Sequence, residues 1–214
     1  MLTACLPSPR YLAGLVVACL LAVPAAAATI TLSHAGSALA GGSIGGVAFG
    51  PTDFVITAVG DTNNREDFGF GYALAHRSAS IAIDGVGSFD FVDPTRTFVN
   101  NDVQGVGFGS PVGDLFDGPL NTAFASYGLD TSIGPISGRG EIIQWGLLNI
   151  TTSGGTLLLT SSPDVPASFE ANVAPIPLPA GGLLLLTALA GVPMLRHQRR
   201  LLGLFRALPR SGAV

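Results

Sequence analysis

The feature that most constrains this fold is what the middle of the chain lacks. Between residues 28 and 173 no stretch carries a sustained 3.6-residue apolar period. Short apolar or alternating runs recur instead, separated by glycine-rich turns. Side chains alternate faces every two residues in a strand, so this pattern builds half-buried strands and no amphipathic helix. The runs are Thr29–Leu32, Asp53–Val59, Ser80–Ile83, Val86–Val92, Ile142–Thr152, Thr156–Thr160 and Ser168–Val173. Asp84-Gly85 between two of them supports the positive φ angles of a type I′ hairpin turn, with Gly87 as a bulge. Ser153-Gly154-Gly155 joins a second hairpin, and Ser168–Val173 closes the sheet. Many short strands with glycine turns predict an all-β fold, an antiparallel β-sandwich of jelly-roll type forming one domain.

Between these runs, residues 34–50 are nearly all Gly, Ala and Ser and read as a loop or loose edge. Asp61–Asp67, Asn100-Asn101-Asp102 and Gly113-Asp114 read as polar turns. Residues 174–179 read as a stiff Pro-rich spacer.

The two ends of the chain follow different rules. Residues 1–28 have one basic residue, Arg10, then an apolar region from Tyr11 to Val23, then Pro24 and four alanines, Ala25 to Ala28. A cationic start, an apolar middle and an A-x-A end make a secretory signal peptide. Ala25 and Ala27 hold the small-residue positions, and the mature chain begins at Ala28. Val16-Val17-Ala18-Cys19 loosely resembles a lipoprotein box, but the apolar run continues nine residues past Cys19.

At the other end, Ala180 to Leu195 is a 16-residue apolar run, about 24 Å long as a helix. Counted from Ile176, the run has 20 residues, close to the span of a bilayer core. Gly181, Gly182 and Pro193 are costly for a helix in water and tolerated in membranes. Arg196, Arg199 and Arg200 follow directly and stay cytoplasmic under the positive-inside rule, which puts the body outside. The expected order is a signal helix, a β body over 28–173, the spacer, a single transmembrane helix over 180–195 and a basic tail over 196–214.

Ile176-Pro177-Leu178-Pro179-Ala180, the leucine-rich run and the arginine cluster together resemble the VPLPA variant of the PEP-CTERM sorting domain. The resemblance covers about 25 residues. It implies that a membrane-embedded exosortase reads Pro177, Leu178 and Pro179, cuts near them, and releases or transfers the protein to the cell exterior. It also implies association with secreted exopolysaccharide or a biofilm matrix. Ile176 stands where the family has valine. The chain also continues 14 residues past Arg200, where the family usually ends at the basic cluster.

Charge narrows the partners. All fourteen acidic residues lie between Asp53 and Glu170 against four arginines, Arg65, Arg77, Arg96 and Arg139, which leaves the body at −10. Such a body repels nucleic acid and anionic lipid. Both cysteines, Cys5 and Cys19, lie in the signal peptide, so the mature chain has no disulfide or thiolate metal site.

The candidate chemistry is sparse. Gly41-Gly42-Ser43-Ile44-Gly45 matches G-x-S-x-G, but a nucleophile elbow needs a strand before and a helix after it. Glycine and alanine surround it here, so a flexible turn is expected. Asp61, Asn63 and Asp67 place oxygens at calcium-loop spacing, without the glycine and bidentate glutamate of an EF-hand. Asp84, Asp90, Asp93 and Asp102 could join an irregular calcium site in the fold. His34 and His76 stand alone and read as surface residues. Trp145 reads as core on an alternating strand with Ile143 and Leu147. Phe68-Gly69-Phe70-Gly71-Tyr72 reads as a strand packed on the opposite sheet, with an exposed platform for sugar rings as the alternative. The expectation is a non-enzymatic exported protein without a cofactor. Its rivals are a calcium- or carbohydrate-binding adhesion module and a secreted hydrolase.

Overall fold

A computed structural model of the chain describes residues 28–175. The expected signal peptide, sorting motif, transmembrane run and basic stop lie outside the described residues, apart from Ala28. The described part is all-β and antiparallel. Its strands are β1 (Thr29–Ala38), β2 (Gly42–Ile44), β3 (Val47–Phe49), β4 (Thr52–Asp67), β5 (Gly71–Ile83), β6 (Gly87–Asp90) and β7 (Arg96–Asn100). They continue with β8 (Gly105–Ser110), β9 (Gly113–Leu120), β10 (Ile133–Ile142), β11 (Ile150–Thr152), β12 (Gly155–Leu159) and β13 (Ser162–Val173). One turn of 3-10 helix, Thr122–Ser126, lies between β9 and β10. Among the described residues no helix is long and apolar enough to cross a membrane.

The large sheet runs β4-β1-β13-β10-β9-β8-β7-β5, and β5 pairs back onto β4. The sheet therefore closes into an eight-stranded barrel in place of the expected two-layer sandwich. Alternation by itself cannot separate the two. What decides is the long β4–β5 hairpin, whose second strand reaches both β4 and β7. The last four residues of β5 pair with β6 on the edge that β7 has left. Phe91 bridges from there to Thr152, next to a small sheet ordered β11-β12-β2-β3.

Several local expectations change with the fold. Residues 34–50 are not a loop: β1 runs to Ala38 with strict alternation, and β2 and β3 follow. Gly and Ala conceal the period because they give no hydrophobic contrast. Asp61–Asp67 belongs to β4. Gly60 faces His76 and Arg65 faces Leu74, so residues 61–64 bulge with no partner on β5. Gly113 and Asp114 open β9. The loop between β5 and β6 has three residues, 84–86, and only Gly85 in it has positive φ, +68°. That excludes the two-residue type I′ turn, which needs positive φ twice. β13 begins at Ser162 and lies between β1 and β10 in the middle of the sheet.

An eight-stranded barrel is just wide enough for side chains to fill. The interior here holds Leu32, Phe54, Ile56, Val99, Phe108, Phe116 and Phe169, all buried. One rim is closed by buried Phe124 of the 3-10 turn, 5.9 Å from Phe169 between ring centres. Asn121 caps that turn, its side chain accepting from the Ala123 amide at 2.9 Å. The other rim is closed by Trp145, whose ring stacks on Phe108 at 6.1 Å. Trp145 is core as expected, but it lies in the turn after β10. Leu147, two residues on, is 82% exposed.

The outer wall has its own packing device. β8 reads Gly-Val-Gly-Phe-Gly-Ser, with Val106 and Phe108 buried inside and glycine at 105, 107 and 109. A Cβ on Gly107 would stand 2.3 Å from Phe98 Cζ and 2.6 Å from Asp117 Oδ1. Side chains of β7 and β9 therefore lie flat across bare backbone. Gly107→Ala is expected to lower stability by about 1–3 kcal/mol, the usual cost of overpacking, read as a shift of the urea midpoint without a change in slope.

Candidate functional site

The two histidines that sequence reading placed on the surface both turn into the barrel, His34 fully buried and His76 half-buried. Alternation along β1 turns His34 inward beside Ile30 and Leu32, and its side chain is fully buried. His76, at the β5 bulge opposite Gly60, turns toward the same point. Thr97 of β7 stands between them and is also fully buried. Its Oγ1 is 2.9 Å from His34 Nε2 and 3.0 Å from His76 Nε2. His76 Nδ1 lies 2.8 Å from Thr95 Oγ1. Phe108 stacks on His76 at 5.6 Å, and Phe169 covers His34 at 4.9 Å.

One proton arrangement serves this chain best. His34 Nε2–H donates to Thr97, Thr97 donates to His76 Nε2, and His76 Nδ1–H donates to Thr95. Only the His34 Nδ1 lone pair is then left without a partner, in agreement with the geometry. The reverse arrangement would strand a buried N–H, which is rarer in folded proteins than an under-used acceptor. Burial pushes both imidazoles down to about 3, and His76 adds to the effect on His34. Both rings are neutral at pH 7. The residues meet because strand register superimposes positions 34, 76 and 97. Nothing in their linear spacing signals it.

This network can exchange protons along its length, but the aromatic packing keeps solvent and ligand away from His34. Its chemistry is that of a polar core that fixes the register of β1, β5 and β7. Thr97→Val keeps the shape and deletes the shared hydroxyl, leaving one buried and one half-buried ring nitrogen without partners. The expected loss is on the order of 2–5 kcal/mol of stability, with Thr97→Ser close to wild type, both read from denaturant midpoints.

A second group of titratable residues lies on the outer wall where β9 meets β10. Glu141 and Asp117 are register partners, and the pairing between these strands is confined to them and the neighbouring Ile142–Phe116 pair. An open cleft of about 300 Å³ is lined there by Asp117, Leu120, Arg139, Glu141 and Asp164, with Gly118, Gly140 and Pro163. Asp117 Oδ1 is buried without a partner. Burial, then Asp114 and Glu141, push its carboxyl up to about 7. Arg139 is held by Asp164 at 3.3 Å, and Arg96 by Asp114 at 3.4 Å. A carboxyl protonated near neutrality can donate a hydrogen bond to a ligand oxygen. Sequence reading missed this pair because only the β9–β10 register joins residues 24 positions apart.

The calcium candidates do not assemble. Asp61 is buried and paired with the guanidinium of Arg77, and its other oxygen accepts from the Asn63 amide at 3.0 Å. Asp67 accepts from the Gly69 amide at 2.7 Å. Asp93 accepts from the Thr151 amide at 2.6 Å. Among the described residues no three His, Cys, Asp or Glu side chains group to hold a metal ion. Ser43 lies on β2 opposite Ala48, in a strand and not the expected flexible turn, with no helix after it. Phe68 and Phe70 are not on a packed strand: they flank the tip of the β4–β5 hairpin, 39% and 51% exposed. Tyr72 is on β5 under the guanidinium of Arg65, 4.7 Å from its ring centre.

Comparison of the chain with family models, with curated proteins and with solved structures found no match. The functional reading therefore rests on the residues themselves.

The two groups titrate with opposite signs. The histidines have folded pKa values below the unfolded value of about 6.5, so the stability of the neutral pair is lost as pH falls from about 6.5 toward 3. Asp117 has a raised value, so the folded chain holds an extra proton and loses stability as pH rises toward 7. Two histidines outweigh one carboxyl, and stability should rise between pH 4 and 6.5 by about 1.4 kcal/mol per unit. Asp117→Asn should roughly double that slope and exceed wild-type stability above pH 7. Urea titrations across pH read both, and an unchanged slope would refute the assignment of Asp117.

Proposed function

We propose that this chain is an exported, non-catalytic β-barrel domain that reaches the cell exterior through a C-terminal exosortase-type sorting signal. The observation that carries the reading is the order of three elements: Pro177-Leu178-Pro179, the apolar run to Leu195, then Arg196, Arg199 and Arg200. A signal peptide ending at Ala25-Ala26-Ala27 supplies passage through the inner membrane. The partners are the exosortase, transiently, and the inner membrane before processing. The destination is the surface or an exopolysaccharide matrix.

Three features of the body support a non-catalytic role. Among the described residues the barrel interior is filled by side chains, and Phe124 and Trp145 cover its two rims. Three of the four ring nitrogens of His34 and His76 are taken up by Thr95 and Thr97. The acidic exterior suits solubility among anionic polymers.

Replacing both Pro177 and Pro179 by alanine should leave export intact and trap the protein at the inner membrane. Fractionation and intact mass check this together: wild type ends near residues 177–180, and the variant keeps its mass through Val214. Surface delivery of the variant at the wild-type rate would refute the sorting role.

A further inference from the structure

The exposed aromatic residues of the body sit at a single place. The β4–β5 hairpin turns through Phe68-Gly69-Phe70, whose two exposed rings meet edge to face at 4.8 Å with planes crossed by 78°, the Phe68 ring lying back over Gly71. Crossed rings form a wedge, not a flat surface for stacking a sugar. The tip is held firmly. The Phe68 amide donates to the Gly71 carbonyl at 3.1 Å, Asp67 accepts from the Gly69 amide, and the Asn101 amide donates to the Phe70 carbonyl at 2.9 Å. Two phenylalanines are thus fixed in an exposed position by the backbone around them.

The position of this tip gives it meaning. β1 begins and β13 ends on the same rim, with Ile30 opposite Val173 and the Ala174 amide donating to the Thr29 carbonyl at 2.8 Å. β4 runs antiparallel to β1, so its far end, the Phe68–Phe70 tip, is on that rim too. Exposed Val103 and Leu120 share the rim and flank Gly105. Four residues, Ile176 to Pro179, separate Pro175 from the apolar run at Ala180. Extended, that connection spans at most about 17 Å.

We propose that the Phe68-Gly69-Phe70 tip is a membrane-contact element. It seats the rim from which the sorting motif emerges on the outer lipid surface of the inner membrane. The inference rests on the reading of residues 180–195 as a membrane anchor in the precursor. The tether keeps this rim within reach of the bilayer, and the two rings enter the interface as aromatic side chains of membrane proteins do. Glu66 and Asp67 flank the tip, so the contact favours zwitterionic over anionic lipid. Its consequence is positional: the motif is presented at the membrane surface, where an embedded processing enzyme works.

The test uses the full chain reconstituted in phosphatidylcholine vesicles, with tryptophan placed by Phe70→Trp at the tip or Val112→Trp at the opposite rim. Wild type, carrying only buried Trp145, gives the background. With dibrominated phosphatidylcholine, emission from the Phe70→Trp chain should be quenched strongly and that from the Val112→Trp chain should match background. If the chain floats with vesicles but neither site is quenched, the tip contact is refuted and the anchor stands. If the chain does not float at all, the anchor reading fails and this proposal with it. A Phe70→Trp emission shift with matrix polysaccharide and none with lipid would assign the tip to sugar, which also overturns the proposal.

Discussion

The pairing of β4 with β5 is the interaction on which the remaining architecture depends. From Phe54↔Ile83 to Val59↔Ser78 the two strands run in unbroken register. Without it, β4 and β5 would be the open edges of an ordinary antiparallel sheet, and exposed edges invite association with other chains. With it, the inward faces of eight strands meet around one axis. β5 is long enough to serve three partners, β4 along one edge and β7 and β6 in turn along the other. The bulge at residues 61–64 lies on β4, opposite the part of β5 that pairs with β7 on its other edge. Extra residues on one strand increase local twist and curvature, which a closing sheet requires. The Asp61–Arg77 pair sits at that bulge. It satisfies a buried carboxylate where the ladder leaves backbone unpaired.

Closure also explains why polar residues are found inside. A barrel of this size draws side chains from every strand into a narrow axis, and mismatched lengths leave gaps that aliphatic residues alone do not fill. Here the gap between β1, β5 and β7 is filled by two imidazoles joined through Thr97, with Phe108 and Phe169 against them. The arrangement tolerates one unpaired lone pair and no unpaired N–H, which is the less costly of the two compromises. A half-satisfied network weakens a core, whereas a satisfied one specifies register. The network therefore belongs to the fold, as the Gly107 approach does on the opposite face of the sheet.

How much of this was legible in the sequence follows from what each residue type reveals. Strands with contrasting alternation, such as Asp53–Val59 and Ser80–Ile83, were readable, and the turn at Ser153-Gly154 was placed correctly. The first arm of that hairpin, read as Ile142–Thr152, is only Ile150–Thr152, because residues 143–149 turn to bring Trp145 into the core. β1 was half seen because its inward positions beyond Leu32 are His34, Gly36 and Ala38, which carry no hydrophobic signal. β8 escaped notice because glycine at 105, 107 and 109 gives no hydrophobic contrast, although Gly105 and Gly107 admit neighbouring side chains and Gly109 the Gly113 carbonyl. The histidine network and the Asp117–Glu141 pair were not legible. Their members are distant in sequence, and only the final register brings them together. Phe68 and Phe70 were readable as aromatic residues among glycines, but whether they lay in a strand or at a tip depended on where β4 ended.

The position of β13 links the fold to the tail that follows it. β13 lies between β1 and β10, so the last strand of the body closes a wall that the first strand begins. Pairing residues this far apart in sequence is slow, because loop closure precedes the gain from contact. A chain that ends before Ser162 leaves two strand edges unpaired and the core open along its length. The barrel is therefore complete only after Val173 has joined β1, immediately ahead of residues 174–179. In the proposed precursor the sorting signal follows directly on the strand that completes the barrel. In the proposed precursor, folding and membrane retention then act on neighbouring residues. The rim where β1 begins and β13 ends is also the rim that the proposed processing enzyme would approach.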